Sequence, residues 1–324
     1  MKIWICASIP DMQEIELAGG HVGSYQEKFD PRIKLNLVGN IHESDLVLVP
    51  HDAKFFSKNT SYLKYLSKIS EKKPILISDR GDFPTKISLK NSTLLRVGIE
   101  PAENFCDTII LPYNIKSISH LSFRDYGLKP EVSFVGQIPN LSLGRAIKSF
   151  NKSPFHPIKT NAAIVRRLAI KKVKSSTISS KVLIRNSYGG LEKHVTNPHI
   201  KREEFVKSIL ESDFVLCPRG DSNGSLRFYE TLSAGRIPLI PNTQMIFPKI
   251  PVFDSNKHVI SFNFFSGNLT EEVMNFWTEL DAVKYHELQS DLRAIFDQHF
   301  KFDIFVQNLL NFDFQHFAKF KSFC

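Results

Sequence analysis

Residues 212–240, Ser-Asp-Phe-Val-Leu-Cys-Pro-Arg-Gly-Asp-Ser-Asn-Gly-Ser-Leu-Arg-Phe-Tyr-Glu-Thr-Leu-Ser-Ala-Gly-Arg-Ile-Pro-Leu-Ile, constrain this chain more than any other stretch. Phe214 to Cys217 is a short apolar run stopped by Pro218 and Gly220, the pattern of a buried strand that ends in a turn. Asp221, Ser222, Asn223 and Ser225 are helix-capping types. Leu226, Tyr229, Thr231 and Leu232 continue at helical spacing until Gly235 stops the helix. Ile237 to Ile240 then resumes a strand. A strand, a Gly-rich turn, a helix and a second strand in one compact unit require a parallel α/β layer, and the ligand side of such a sheet lies at its strand ends.

The turn places free backbone N–H groups at a helix start, where phosphate is attracted. Arg219 lies on the loop and Arg227 near the helix start, and Glu230 shares a helix face with Arg227. Two guanidiniums can clamp a diphosphate bidentately, and a carboxylate one turn further on can accept hydrogen bonds from a ribose diol. Gly220, Ser222, Asn223, Gly224 and Ser225 complete a phosphate-facing turn. The same spacing also permits a plain surface ion pair between Arg227 and Glu230 with Arg219 solvated.

The run from Cys217 to Ile240, C-P-R-G-D-S-x-G-S-x-R-x-Y-E-x-L-x-x-G-x-I-P-L-I, resembles the signature of the exostosin-like glycosyltransferases. Upstream, Asp45 to Pro50, Ile75 to Gly81, Asp107 to Tyr113 and Val132 to Gly136 resemble further segments of that family in the same order. The resemblance implies an inverting enzyme of the GT-B fold, with two Rossmann-like α/β domains facing a central cleft. It implies transfer of a sugar from a nucleotide donor, most simply a UDP sugar, to a glycan or glycolipid acceptor. Arg166 or Arg167 matches the family's R-x-x-L position beside the donor phosphates.

Inverting transfer needs a general base for the acceptor hydroxyl and electrostatic stabilisation of the departing nucleoside diphosphate. Arg219, Arg227 and the N–H groups of Gly224 and Ser225 can serve the leaving group. The chain has no D-x-D motif, so no metal and no other cofactor is expected. For the base, Asp79 sits where the family carries an H-D-x-G turn, although Ser78 stands in place of the histidine. His21 and His51, each at an expected strand end, are the other candidates. A binding protein that has lost catalysis would keep the 217–240 loop and lack a working base.

At 324 residues, 42% hydrophobic and 23% charged, the chain can build two domains with separate cores. Apolar or β-branched runs at Ile3 to Ala7, Ile33 to Leu37, Leu46 to Val49, Ile75 to Ser78, Thr93 to Val97 and Thr108 to Leu111 predict the strands of the first. A helix is predicted over Ser61 to Ile69. Val132 to Val135, Lys181 to Arg185, Phe214 to Leu216, Ile237 to Ile240 and Val259 to Phe262 predict the strands of the second. The expected division is 1–129, an acceptor-side domain; 130–295, the nucleotide-sugar domain; and 296–324, a helical segment that packs back on the first domain. The Phe-rich C-terminal stretch reads as packed helices, with a membrane-docking face over Phe314 to Phe323 as the alternative.

The N-terminal apolar run is too short for a secretory signal or a membrane span, which predicts a cytoplasmic enzyme. Cys6, Cys106, Cys217 and Cys324 are isolated, without C-x-x-C spacing, and suit a reducing compartment. The net charge of +9 is concentrated. Between Glu131 and Glu192 there is no acidic residue, and eleven Lys or Arg lie there. A solvated helix face, an anionic membrane leaflet or lipid-linked acceptor, and nucleic acid all answer such a segment. Nucleic acid is the least suited, because no stacking platform accompanies the charge.

Overall fold

A computed structural model of the chain describes residues 1–6, 34–50, 55, 59–79, 87, 89–100, 107–185 and 198–311. His21, His51 and the stretch 314–323 lie outside the described residues. The chain forms two compact units, and both are α/β with a parallel sheet, as the sequence predicts.

The first unit carries β1 (Ile3–Ile5), β2 (Leu46–Val49), β3 (Ile75–Ser78), β4 (Ser92–Arg96) and β5 (Thr108–Ile110), all parallel and in that spatial order. Every residue of β2 to β5 is buried, which is why these strands read as unbroken apolar runs rather than as an alternation. Helix α1 (Thr60–Ser70) lays Tyr62 and Leu66 on Val47, Val49, Ile75 and Ile77, each fully buried aliphatic side chain contributing about 1.5–3 kcal/mol. The segment expected to be a strand at 33–37 makes only one parallel bridge, Leu37 to Ile3, on the β1 edge away from β2. Ile3 N–H donates to the Asn36 carbonyl at 2.8 Å and Val38 N–H to the Ile3 carbonyl at 3.0 Å. Counting that segment, the order from the edge is second, first, third, fourth, fifth, sixth in sequence, a doubly wound arrangement.

The second unit carries β6 (Glu131–Gln137), β7 (Ser179–Arg185), β8 (Phe214–Leu216), β9 (Ile237–Pro241) and β10 (Ile260–Phe262), in the spatial order β10-β9-β8-β6-β7. All pairs are parallel. The helices are α2 (Leu143–Lys152), α3 (Pro157–Thr160), α4 (Ala162–Ser175), α5 (Pro198–Leu210), α6 (Leu226–Ser233), α7 (Ser255–His258), α8 (Leu269–Thr278) and α9 (Ala282–Ile295), followed by a π-turn at Phe296–Phe300. Gly235 ends α6 at φ +67°, and a Cβ there would lie 2.7 Å from the Gln289 carbonyl oxygen, so only glycine fits the return into β9.

The boundary falls earlier than residue 130: the first unit takes Met1–Pro112, Ile246–Ile250 and the described part of Lys301–Cys324, and the second takes Tyr113–Met245 and Pro251–Phe300. The reason is packing. Trp277 Nε1 donates to the Gly127 carbonyl at 3.1 Å, and the Tyr126 ring stacks on Trp277 at 4.8 Å. Arg124 reaches Asp213 at 2.9 Å, and its backbone N–H and C=O exchange hydrogen bonds with the Gln289 side-chain amide. Phe300 likewise stays with the second unit, edge-on to Tyr229 at 5.6 Å and to Phe253 at 5.1 Å. The helix α10 (Phe302–Asn311) groups with the first unit, where the Gln307 side chain accepts from Lys34 N–H at 3.1 Å. No described helix is long and apolar enough to cross a membrane.

Candidate phosphate-binding site

In the second sheet, β7 and β8 flank β6, so the chain moves outward in opposite directions from that strand. The crevice outside the C-terminal ends of β6 and β8 is the topological switch point, where open parallel sheets bind their ligands. The loop from Cys217 to Ser225 leaves β8 there and feeds α6. Gly220 N–H donates to the Gly224 carbonyl at 2.8 Å and closes the loop into a compact turn.

Arg227, one residue into α6, reaches across that crevice. Its Nη2 donates to the Val135 carbonyl of β6 at 2.5 Å, and Nη1 lies 3.5 Å from the Leu216 carbonyl of β8. The guanidinium covers the Phe134 ring at 4.5 Å and is half-buried. Gly136 makes the approach possible, because a Cβ there would lie 2.6 Å from Nη2.

The cap of α6, like those of α1 and α3, makes no side-chain bond, unlike several of its neighbours. Ser142, Asn161, Asn268 and Asp281 cap α2, α4, α8 and α9 through their side chains. Ser225 makes no such bond; the Phe228 N–H donates to the Ser225 carbonyl at 3.1 Å, and the Leu226 and Arg227 N–H groups have no side-chain cap.

Arg219 differs from expectation. It is 1% exposed, and its guanidinium donates to the carbonyls of Lys159, Gly220 and Asp221 at 3.1–3.3 Å. A guanidinium so committed braces the loop from within instead of facing a diphosphate. Asn223 is also internal, donating to the Thr243 and Gln244 carbonyls and accepting from the Thr243 hydroxyl at 2.9 Å. Ser222 is buried beside the Tyr113 hydroxyl, 3.3 Å away. Arg166 and Arg167 differ in reach. Arg166 donates to the Gln137 carbonyl at 2.8 Å and to the Arg219 carbonyl at 3.1 Å, tying the ends of the two switch-point strands together. Arg167 is exposed and only approaches the Pro139 carbonyl at 3.5 Å.

Glu230 is 4% exposed, and its Oε1 accepts from Arg202 Nη1 on α5. Burial raises its pKa, against the lowering pull of Arg202 and Arg227. Arg202 also donates to the Lys116 carbonyl at 3.1 Å. Nothing in the sequence pattern singles out Arg202, because it sits in a mixed-charge helix whose partner is separated by 28 residues. Tyr113, outside any helix, also tilts against the Tyr229 ring at 5.9 Å, and its Ser222 partner is 109 residues away in sequence.

In the first unit Asp79 follows β3 and is 1% exposed. Its Oδ2 is held by Arg96 Nη2 at 2.6 Å and Nε at 2.7 Å. In this state Asp79 neutralises a buried guanidinium and is not presented to a substrate. His21 and His51 cannot be compared with it, since both lie outside the described residues. Among the described residues, no group of three or more His, Cys, Asp or Glu side chains could hold a metal ion. Cys217, beside the site, is buried, and burial pushes its thiol up to about 12.

Fold and site thus define the class: a two-unit α/β protein with Rossmann-like parallel sheets and a phosphate-type loop at the switch point of the second. No family model and no curated protein matches the chain. Among solved structures it is similar to TarM, with a TM-score of 0.38 and 10% identity, over 86% of this chain and 55% of that one. It is similar to the GtfA/B complex bound to UDP and GlcNAc, with a TM-score of 0.31 and 13% identity over 82% of this chain and 56% of that one. It is also similar to the spinosyn forosaminyltransferase SpnP, with a TM-score of 0.29 and 10% identity over 82% and 68% of the two chains. The chain therefore spans little more than half the length of the first two. Likenesses this distant carry no argument about activity.

Proposed function

We propose that the protein is a glycosyltransferase that takes its donor, a nucleoside diphosphate sugar, at the switch point of the second sheet. The observation that carries this reading is the junction of Arg227 with the uncapped start of α6, outside the ends of β6 and β8. Backbone N–H groups and one half-buried guanidinium concentrate positive potential on a spot of phosphate size. Arg227 turns from the Val135 carbonyl to a phosphate oxygen, exchanging a neutral acceptor for a charged one, which strengthens the bond. Arg219 and Arg166 hold the loop in shape, and Glu230, oriented by Arg202, accepts from the ribose diol.

The proposed reaction inverts the anomeric centre, with the acceptor hydroxyl displacing the nucleoside diphosphate and the residues above stabilising that leaving group. UDP is the proposed nucleotide, and a glycan or glycolipid the proposed acceptor. With the Arg227 guanidinium and N–H dipoles as the proposed phosphate donors, no divalent metal is proposed. Asp79, His21 and His51 are the proposed candidates for the base; use of Asp79 requires its Arg96 pair to open.

That closed pair favours a second reading, a nucleotide-sugar-binding protein without turnover. One experiment separates the two: the full chain incubated with UDP sugars, with and without EDTA, while released nucleoside diphosphate is quantified and the anomeric configuration of any product read by NMR. EDTA-resistant release with inversion supports the transferase; tight binding without release supports the binder; retention of configuration overturns the proposed chemistry.

A further inference from the structure

Helix α2 is amphipathic, but its apolar face points away from the body of the unit. Ser149 is the only one of its residues that is buried. Leu143 is 78% exposed, Ile147 53% and Phe150 56%, and they recur at helical spacing along one face. Leu141, Phe155 (89% exposed) and Ile158 extend the apolar surface before and after the helix. The polar side is the one that packs. Arg145 pairs with the Asp221 carboxylate at 2.5 Å, and Lys152 Nζ donates to the Asp221 carbonyl. Six large apolar side chains on neighbouring residues exceed the scattered exposure that a surface ordinarily shows.

The charge around this surface narrows what can cover it. Residues 141–158 hold no carboxylate and carry Arg145, Lys148 and Lys152, and Asp221, the acid that faces α2, is already paired with Arg145. A second copy would bring the same cationic stretch against itself. Nucleic acid would satisfy the charge but gains little from exposed Leu and Ile. An anionic bilayer surface answers both features, because its headgroups attract the cations while its acyl boundary takes the apolar side chains.

We propose that α2 and the turn that follows it, residues 141–158, dock on an anionic membrane surface. The inference stands whether or not the chain transfers a sugar. The test is flotation of the full chain with vesicles of phosphatidylcholine alone or of phosphatidylcholine mixed with phosphatidylglycerol, at low and high salt. The chain is expected to float with the anionic vesicles and to be released by salt. The triple variant Leu143→Ser/Ile147→Ser/Phe150→Ser, whose sites are exposed, is expected to keep the melting temperature and to lose partitioning by roughly tenfold or more. Absence of flotation with anionic vesicles, equal flotation with neutral ones, or flotation unaffected by the triple variant would each overturn the proposal. So would a dimer in sedimentation velocity that the same variant abolishes, which would assign the face to a second copy.

Discussion

Both units carry a parallel sheet, and the described residues at their C-terminal edges differ. In the first unit the polar groups after β3 and in β4, Asp79 and Arg96, satisfy each other at 2.6 Å with almost no exposure. In the second unit the guanidinium at the edge, Arg227, bonds to main-chain carbonyls and remains half-buried, beside a helix start whose cap residue makes no side-chain bond. Among the described residues, donors that an anion can claim line the crevice of the second unit. A buried ion pair is a closed arrangement, costly to break, whereas a cation held by neutral acceptors can be drawn to a stronger partner.

Four changes break or sharpen this contrast. The largest effect is expected from Asp79→Ala, which strands the Arg96 charge in the core and should cost about 3–5 kcal/mol in chemical denaturation while leaving nucleotide affinity unchanged in the folded fraction. A folded Asp79→Asn variant that binds donor normally but does not turn over would instead make Asp79 the base. Next is Arg227→Ala, expected to lower nucleoside diphosphate affinity by roughly a hundredfold in titration calorimetry through loss of a charged, partly desolvated contact.

Gly136→Ala comes third. Its methyl group would meet Nη2 at 2.6 Å and push Arg227 off Val135, so affinity should fall by about tenfold. An unchanged affinity would show that the observed Arg227 position is irrelevant to binding.

The smallest effect concerns pH. The Glu230 carboxyl is raised by burial, so its proton persists to a higher pH than on an ordinary carboxylate. For folding, the stabilisation from that retained proton is present at low pH and is lost as pH rises through the raised folded value. For binding the sign is reversed, because only the ionised carboxylate accepts from both ribose hydroxyls. Affinity should therefore climb with pH across the acid range, and Glu230→Gln should flatten the climb.

Much of the fold was legible because buried parallel strands are local signals. Leu46–Val49 and Ile75–Ser78 match the apolar runs residue for residue, and Gly235 marks the end of α6. Of the strand expected at 33–37, residues 34–37 are described and supply one bridge, Leu37 to Ile3. Arg124, Tyr126 and Gly127 group with the second unit through Asp213, Trp277 and Gln289, contacts that no local pattern records. The site loop was legible in position and less so in role. Arg219 and Arg227 look equivalent in sequence, yet one turns inward to carbonyls of its own loop and of Lys159, and the other bridges two strands. Arg202 was invisible because its meaning depends on Glu230, which lies on a different helix.

The most direct test is titration calorimetry of the purified full chain with UDP and other nucleoside diphosphates, with EDTA present, for the wild type and Arg227→Ala. The account predicts that the wild type binds one diphosphate selectively without metal and that the variant, still folded, loses roughly a hundredfold in affinity. Absence of binding across the panel, or equal affinity in the variant, would contradict it.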